Sequence, residues 1–135
     1  MQMEEPKTVK VFLSMPLKDL SKEEVEETLK QNKHDLIKPV MEKFNVTADQ
    51  IEIMDTYINA EEDISVYKTI PLYYFGKGVM SYLSKADVIV MGHGWRSARG
   101  CQCENFIAAA YGIPQINLDA IDRIQHIWEV PVCQK

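Results

Sequence analysis

The sequence predicts an α/β fold: residues 1–135 as a single flavodoxin- or Rossmann-like domain of three layers, with a parallel sheet of four to five strands in the order 2-1-3-4. Runs of β-branched and apolar residues alternate with helical patterns, which favours parallel strands joined by right-handed crossovers. Residues 88–112 combine an apolar strand, a glycine-broken loop and a helix, an arrangement that forms a pocket at the carboxyl edge of such a sheet.

The first part of the chain predicts two strands separated by a long helical region. Residues 8–14 (TVKVFLS) are rich in β-branched and aromatic side chains and predict a central strand. Ser21 and Glu24 have capping-box spacing, so a helix is expected to begin there, and Pro39 predicts a kink or a division into two helices. Residues 50–55 alternate in polarity and predict the second strand.

The second part predicts two more strands and three helices. In chain order these are residues 71–85 (helix), 87–91 (strand), 100–111 (helix), 114–118 (strand) and 119–126 (short helix). Gly112 is the expected stop of the helix over 100–111. Residues 56–69 have weak periodicity and several acids, which predicts a loop at the rim of the pocket.

Composition excludes several classes of function. The net charge of −5 argues against a nucleic-acid-binding surface, which needs clustered Lys and Arg. No apolar run approaches the roughly 20 residues that span a bilayer, so no membrane association is expected. The polar start lacks the apolar stretch of a signal peptide, and three cysteines fit reduced thiols better than a disulfide scaffold, which predicts a cytoplasmic protein.

Glu104 is the residue that most needs an explanation. It falls in the first turn of the predicted helix over 100–111, beside the apolar Phe106 and Ile107. A carboxylate next to a face suited to burial is costly unless it is paired, hydrogen-bonded or used in chemistry. The alternative is an ordinary first-turn acid that the helix dipole favours.

A ligand site is predicted where the chain direction reverses between strands 1 and 3, because loops from both strands meet there. The end of strand 2 borders them. The candidate binding residues in these segments are Ser14, Met15, Pro16, Tyr57, Gly94, Trp95, Ser97, Arg99 and Gly100.

Two features of the loop after strand 3 have alternative interpretations. Ser97, Arg99 and Gly100 lie where a helix N-terminus accepts a phosphate, or they are an N-cap with solvated side chains. Trp95 is expected either to stack on a base or to be a rim or interface residue. Cys101 and Cys103 point about 200° apart on a helix and chelate one metal poorly, so neither a metal nor another cofactor is predicted.

Two segments, VFLSMP and ADVIVMGHGWRSARGCQCENFIAAAYGIP, resemble the nucleoside 2-deoxyribosyltransferase-like superfamily, and most of all its small DUF4406-type branch from phage and bacterial genomes. The resemblance covers strand 1 and about residues 83–116. The positions that carry it are Pro16, Ala86, Asp87, Gly94, Trp95, Ser97, Gly100, Glu104, Gly112, Ile113 and Pro114.

The resemblance implies cleavage or exchange of the N-glycosidic bond of a nucleoside or nucleotide. In characterised members a helix glutamate attacks the anomeric carbon, and here that nucleophile is Glu104. Two acids that those enzymes carry are replaced by residues 97–99 and 78–80, so proton donation to the leaving base must come from elsewhere. By location, Asp55, Tyr57 and His93 are the candidates.

Related proteins are oligomers, which implies a homodimer or higher assembly. Two non-enzymatic functions compete with the glycosidase or transferase. One is a nucleotide sensor or sponge on the same fold, and the other is an interaction protein with a vestigial pocket.

Overall fold

The computed structural model describes residues 7–17, 19–55, 64–66 and 68–119. These residues form the strands and helices β1 (Val9–Ser14), α1 (Lys22–Phe44), β2 (Ile51–Ile53), α2 (Ile70–Ser81), β3 (Val88–Met91), α3 (Arg99–Ala110) and β4 (Gln115–Asn117). The predicted helix over 119–126 lies outside the described ranges after its first residue. The same holds for most of the predicted rim loop over 56–69, which contains a short 3-10 turn at Ile64–Val66.

The predicted sheet is confirmed. In the described residues β1–β4 form a four-stranded, all-parallel sheet in the order β2-β1-β3-β4. Ser14 pairs in register with Met91, which pairs with Asn117, so these residues form one row at the carboxyl edge. The chain reverses direction between β1 and β3, which places a switch point beside Ser14.

Helices cover both faces of the sheet, because alternate strand residues point to opposite sides. On one face, Leu36 and Val40 of α1 pack in a cluster with Val11 and Val90. On the other face, Phe12, Ile89 and Met91 pack with side chains of α3 and of the segment at the end of α2. The three-layer prediction is therefore confirmed.

The long helix α1 begins and ends at residues whose roles are readable in the sequence. Ser21 and Glu24 form the predicted capping box, and Asn45 ends the helix in the left-handed conformation. The alternative of two shorter helices at Pro39 is wrong, since α1 is one helix. Leu36 and Val40 are fully buried on either side of Pro39, so tertiary packing stabilises both parts despite the lost backbone hydrogen bond.

The predicted helix over 71–85 is shorter than expected. α2 ends at Ser81, and a 3-10 turn over Leu83–Lys85 leads into β3. Gly112, with φ of +76°, follows the end of α3 as predicted. None of the helices within the described ranges is both long and apolar enough to cross a bilayer.

Candidate active site

The loop that leads from β3 to α3 is held tightly against the rest of the molecule. A Cβ atom at Gly92 would lie 2.9 Å from Met15 Cβ and 2.9 Å from Asn32 Oδ1, so only glycine fits there. Gly94 has φ of +79°, a conformation that glycine adopts without strain, and a 3-10 turn over Trp95–Ser97 follows it. The N-terminus of α3 is thereby placed beside the end of β1.

Glu104 faces the end of β1. The Ser14 hydroxyl donates a hydrogen bond of 2.6 Å to Glu104 Oε1, and Ser14 is only 2% exposed. Burial raises the pKa of the Glu104 carboxyl above its ordinary value, and the Ser14 hydrogen bond opposes this rise. Glu104 lies in the second turn of α3 rather than the first, as α3 begins at Arg99. The helix dipole stabilises an acid mainly within the first turn, so it does not account for the position of Glu104.

A buried thiol accompanies this pair. Cys101 lies one turn before Glu104 and is 4% exposed. Burial and the charge of Glu104 raise the pKa of the Cys101 thiol, whereas a hydrogen bond with Ser14 lowers it. Its neighbour Cys103 is exposed, in keeping with the different directions of two side chains two residues apart on a helix.

Glu104 lines a cleft of about 990 Å³ between the loop after β1, α2 and the start of α3. One group of lining residues is apolar: Met15, Pro16, Leu17, Pro71, Leu72 and Phe75. The polar and small lining residues are Asp19, Thr69, Ser97, Ala98, Arg99, Gly100, Cys101, Cys103 and Glu104. A smaller cavity of about 590 Å³ beside α2 is lined by Lys68, Lys77 and Met80 among others and by no carboxylate. The larger cleft is therefore the candidate site.

Most of the predicted binding residues come together in this cleft. Met15, Pro16 and Ser97, with Arg99 and Gly100, all line it. Ser14 does not, because its side chain is buried and donates to Glu104. Ser14 therefore contacts the carboxylate of Glu104 rather than the open cleft, and its contact with substrate stays a prediction.

Trp95 does not fit the predicted base-stacking role. Its side chain is 8% exposed and packs in the core on the α3 face, and its indole N–H donates to Asn117 Oδ1 at 3.0 Å. Gly94, the other loop residue predicted to bind substrate, donates its backbone N–H to Asp119 Oδ2 instead of lining the cleft. Both residues shape the loop.

The predicted proton donors do not line the cleft. His93 lies against α1, with Nε2 2.8 Å from Asp35 Oδ2. Asp55 is exposed just beyond β2 and is not among the lining residues. Tyr57 lies outside the described residues. The sheet order explains the positions of His93 and Asp55, because α1 and β2 are separated from α3 by the central strands.

Sequence reasoning missed several lining residues, among them Phe75, Cys101 and Asp19. Phe75 belongs to α2, whose apolar residues occur on several sides, so the sequence did not show which side faces a cleft. Cys101 precedes Glu104 by three residues, a helical spacing that could have placed both on one face. Asp19, with φ of +66°, makes no hydrogen bond or ion pair among the described residues.

The described part of the chain contains no group of three His, Cys, Asp or Glu side chains arranged to hold a metal ion. No protein-family model, curated protein or solved structure matches the chain.

Proposed function

We propose that the cleft binds a nucleoside, nucleotide or related ribosyl compound, and that Glu104 is the nucleophile that cleaves or exchanges its N-glycosidic bond. The observation that carries the proposal is a partly buried carboxylate on the lining of a cleft of about 990 Å³, held by Ser14 at 2.6 Å. A carboxylate stabilises the oxocarbenium-like transition state of glycoside cleavage and forms a glycosyl ester.

The hydrogen bond to Ser14 assigns different roles to the two oxygens of Glu104. Oε1 accepts the hydrogen bond of the Ser14 hydroxyl, and Oε2 attacks the anomeric carbon. The C–N bond breaks with its electron pair on the base, which takes up a proton. Water, or a second base, then attacks the anomeric carbon of the ester, loses its proton to the group that protonated the leaving base, and releases Glu104 as a carboxylate.

Burial of Glu104 supports this chemistry. Desolvation raises the pKa of the carboxyl because it disfavours the charged form, and the Ser14 hydrogen bond favours the charged form. A carboxylate with few water molecules around it gains most when positive charge develops beside it. The sugar ring develops such charge at the transition state.

The departing base needs a proton that Glu104 cannot supply while it attacks. Among the described lining residues, Asp19 carries the other carboxyl group. We therefore propose Asp19 as the proton donor in place of Asp55 and His93. Asp19→Asn should slow release of natural bases by about 100-fold or more. The leaving group of a p-nitrophenyl riboside needs no proton. The variant should therefore hydrolyse this compound at a rate within a few-fold of the wild-type rate.

The remaining lining residues suit the other parts of a nucleotide. Phe75 and Leu72 of α2 offer an apolar wall for a base. Arg99 and the N-terminal N–H groups of α3 suit a phosphate.

The test is release of free base from a panel of nucleosides and nucleoside monophosphates, followed by chromatography. Wild type should release a base from at least one compound, and Glu104→Gln should lose about 1000-fold or more of that rate. Glu52→Gln, a change at an exposed position on β2, is the matched control and should keep full activity. If wild type releases no base from any compound, the enzymatic proposal fails.

A second candidate is a non-catalytic nucleotide-binding protein that uses the same cleft. The apolar wall of Phe75 and Leu72 and the Arg99 side chain favour it, because they suit binding of a nucleotide whether or not Glu104 reacts. This candidate predicts tight binding that Glu104→Gln preserves, without base release. The absence of any ligand-induced thermal shift would exclude both candidates and favour an interaction protein with a vestigial pocket.

We further propose a cytoplasmic homodimer or higher oligomer. Large apolar side chains outside the cleft are exposed, among them Met80 on α2, Phe106 on α3 and Tyr111 just after α3, and such surfaces are typical of contacts between subunits. Light scattering coupled to size-exclusion chromatography measures the mass directly, and a monomeric mass at micromolar concentration would contradict the proposal.

A further inference from the structure

A second polar cluster lies at the carboxyl edge of the sheet, on the face that α1 covers. Its centre is His93, in the loop after β3. His93 Nε2 lies 2.8 Å from Asp35 Oδ2 of α1, and His93 Nδ1 lies 3.1 Å from Asp119 Oδ1 beyond β4. The imidazole therefore bridges two carboxylates from segments that are distant in the chain.

This arrangement has a definite requirement for protons. A carboxylate accepts hydrogen bonds and donates none, and a neutral imidazole carries a single N–H. With a neutral ring, one of the two contacts would set a nitrogen lone pair against a carboxylate oxygen. Only the imidazolium donates to Asp35 and Asp119 at once.

We propose that His93 is a proton-dependent clamp, which in its protonated form ties the β3–α3 loop to α1 and to the segment after β4, and which loses one of these ties on deprotonation. The inference is independent of any glycosidase activity, since neither His93 nor its two partners line the Glu104 cleft.

The charges that face the clamp are of both signs. Asp35 accepts hydrogen bonds from Gln31 and also lies 3.2 Å from His34 Nδ1. Asp119 accepts the backbone N–H of Gly94, and the charge of Arg96 acts on it as well. The two carboxylates outnumber the fixed positive charge near His93.

These surroundings favour the imidazolium. Burial lowers the pKa of His93, but the hydrogen bonds and charges of Asp35 and Asp119 outweigh it, so the pKa is raised. Hydrogen bonds from Gln31, His93 and His34 lower the pKa of Asp35 to about 2. Burial raises the pKa of Asp119, but the bonds with Gly94 and His93 outweigh burial and lower it. All three directions agree with an ion-paired cluster.

The backbone explains why a change at His93 reaches the loop. The His93 N–H donates to Oδ1 of Asn32, a residue of α1 that is 1% exposed, and the Gly94 N–H donates to Asp119. The next residues form the turn Trp95–Ser97, which leads into α3. The clamp thus acts on the segment that sets the position of α3.

The direction of the pH effect follows from the raised pKa of His93. The clamp stabilises the fold fully below the pKa of an unfolded histidine, and the contribution is lost as pH rises through the folded pKa. Each unit between the two pKa values corresponds to a tenfold change in the folding equilibrium.

The test combines urea unfolding from pH 5.5 to 9 with NMR titration of the histidine rings. His93→Gln should raise the unfolding constant several-fold at pH 5.5 relative to wild type, and the ratio should shrink toward pH 9. His34→Gln is the matched comparison: His34 also contacts Asp35, but its side chain is 85% exposed, so its ratio to wild type should change less with pH than that of His93→Gln. In Asp119→Asn, the His93 signal should titrate at lower pH than in wild type.

Two results would overturn the clamp. One is a ratio of the unfolding constants of His93→Gln and wild type that stays constant over the whole pH range. The other is a His93 ring that titrates at or below the pH at which the histidine of an unstructured reference peptide titrates. Because urea unfolding and NMR need no substrate, a failure of the clamp is distinguishable from a failure of the proposed enzyme.

Discussion

The Ser14 hydroxyl lies 2.6 Å from Oε1 of Glu104, so the last residue of β1 directly contacts the carboxylate of α3. Ser14 and Glu104 are 90 positions apart in the chain. This contact is possible because β1 and β3 are neighbours in the sheet and α3 follows β3. It ties the carboxylate of the candidate site to the carboxyl end of β1.

Ser14→Ala should shift the pH dependence of activity toward higher pH. Removal of the hydroxyl takes away the bond that lowers the pKa of Glu104, so the pKa rises further and less of the nucleophile is ionised at a given acidic pH. The acidic limb of a plot of kcat/KM against pH measures this shift. Ser97→Ala is the control, because the Ser97 hydroxyl donates to Gly94 O instead and should leave the limb in place.

Phe75→Ala should weaken ligand binding by about tenfold, since stacking of an aromatic side chain on a base contributes about 1–3 kcal/mol. The fold should lose little stability, because Phe75 is only half-buried. Isothermal titration calorimetry gives the dissociation constant. Phe106→Ala is the matched control, at a residue of α3 that is 73% exposed and outside the cleft lining. Equal affinities of both variants and wild type would remove Phe75 from the site.

Trp95→Phe should lower the free energy of unfolding by about 1–2 kcal/mol, as it removes the hydrogen bond to Asn117 and some buried apolar area. Ligand affinity should stay within about twofold, in keeping with a core position. Urea denaturation and calorimetry on the same preparation separate these two effects. A large loss of affinity without a loss of stability would reinstate the base-stacking interpretation.

Gly92→Ala should destabilise the fold by about 1–3 kcal/mol, because the new Cβ would lie 2.9 Å from both Asn32 Oδ1 and Met15 Cβ. Asn32 is buried and accepts the His93 N–H, so it cannot move without a further loss. Gly76→Ala in α2 is the control, since its Cβ would meet nothing within 4 Å. That change should be stabilising by about 0.5–1 kcal/mol, because alanine favours a helix. Thermal unfolding of the two variants should therefore shift in opposite directions.

Local patterns in the sequence were enough to predict the fold. The period of apolar residues, the capping box at Ser21 and Glu24, and the stop at Gly112 are local features. The predicted order 2-1-3-4 is one of the few arrangements compatible with right-handed crossovers, which are nearly invariant. Pro39 shows the limit of local reasoning, since the packing of Leu36 and Val40 keeps α1 a single helix.

By itself the sequence determined the parallel α/β architecture and the presence of an unusual glutamate after a glycine-rich loop, because both depend on short-range patterns. Only the tertiary structure decided which side chains share the cleft. It joined Ser14 to Glu104, brought Phe75 and Asp19 to the lining, buried Trp95 and moved His93 to the α1 face. These relations depend on contacts between side chains of residues that are far apart in the chain. No local pattern carries that information.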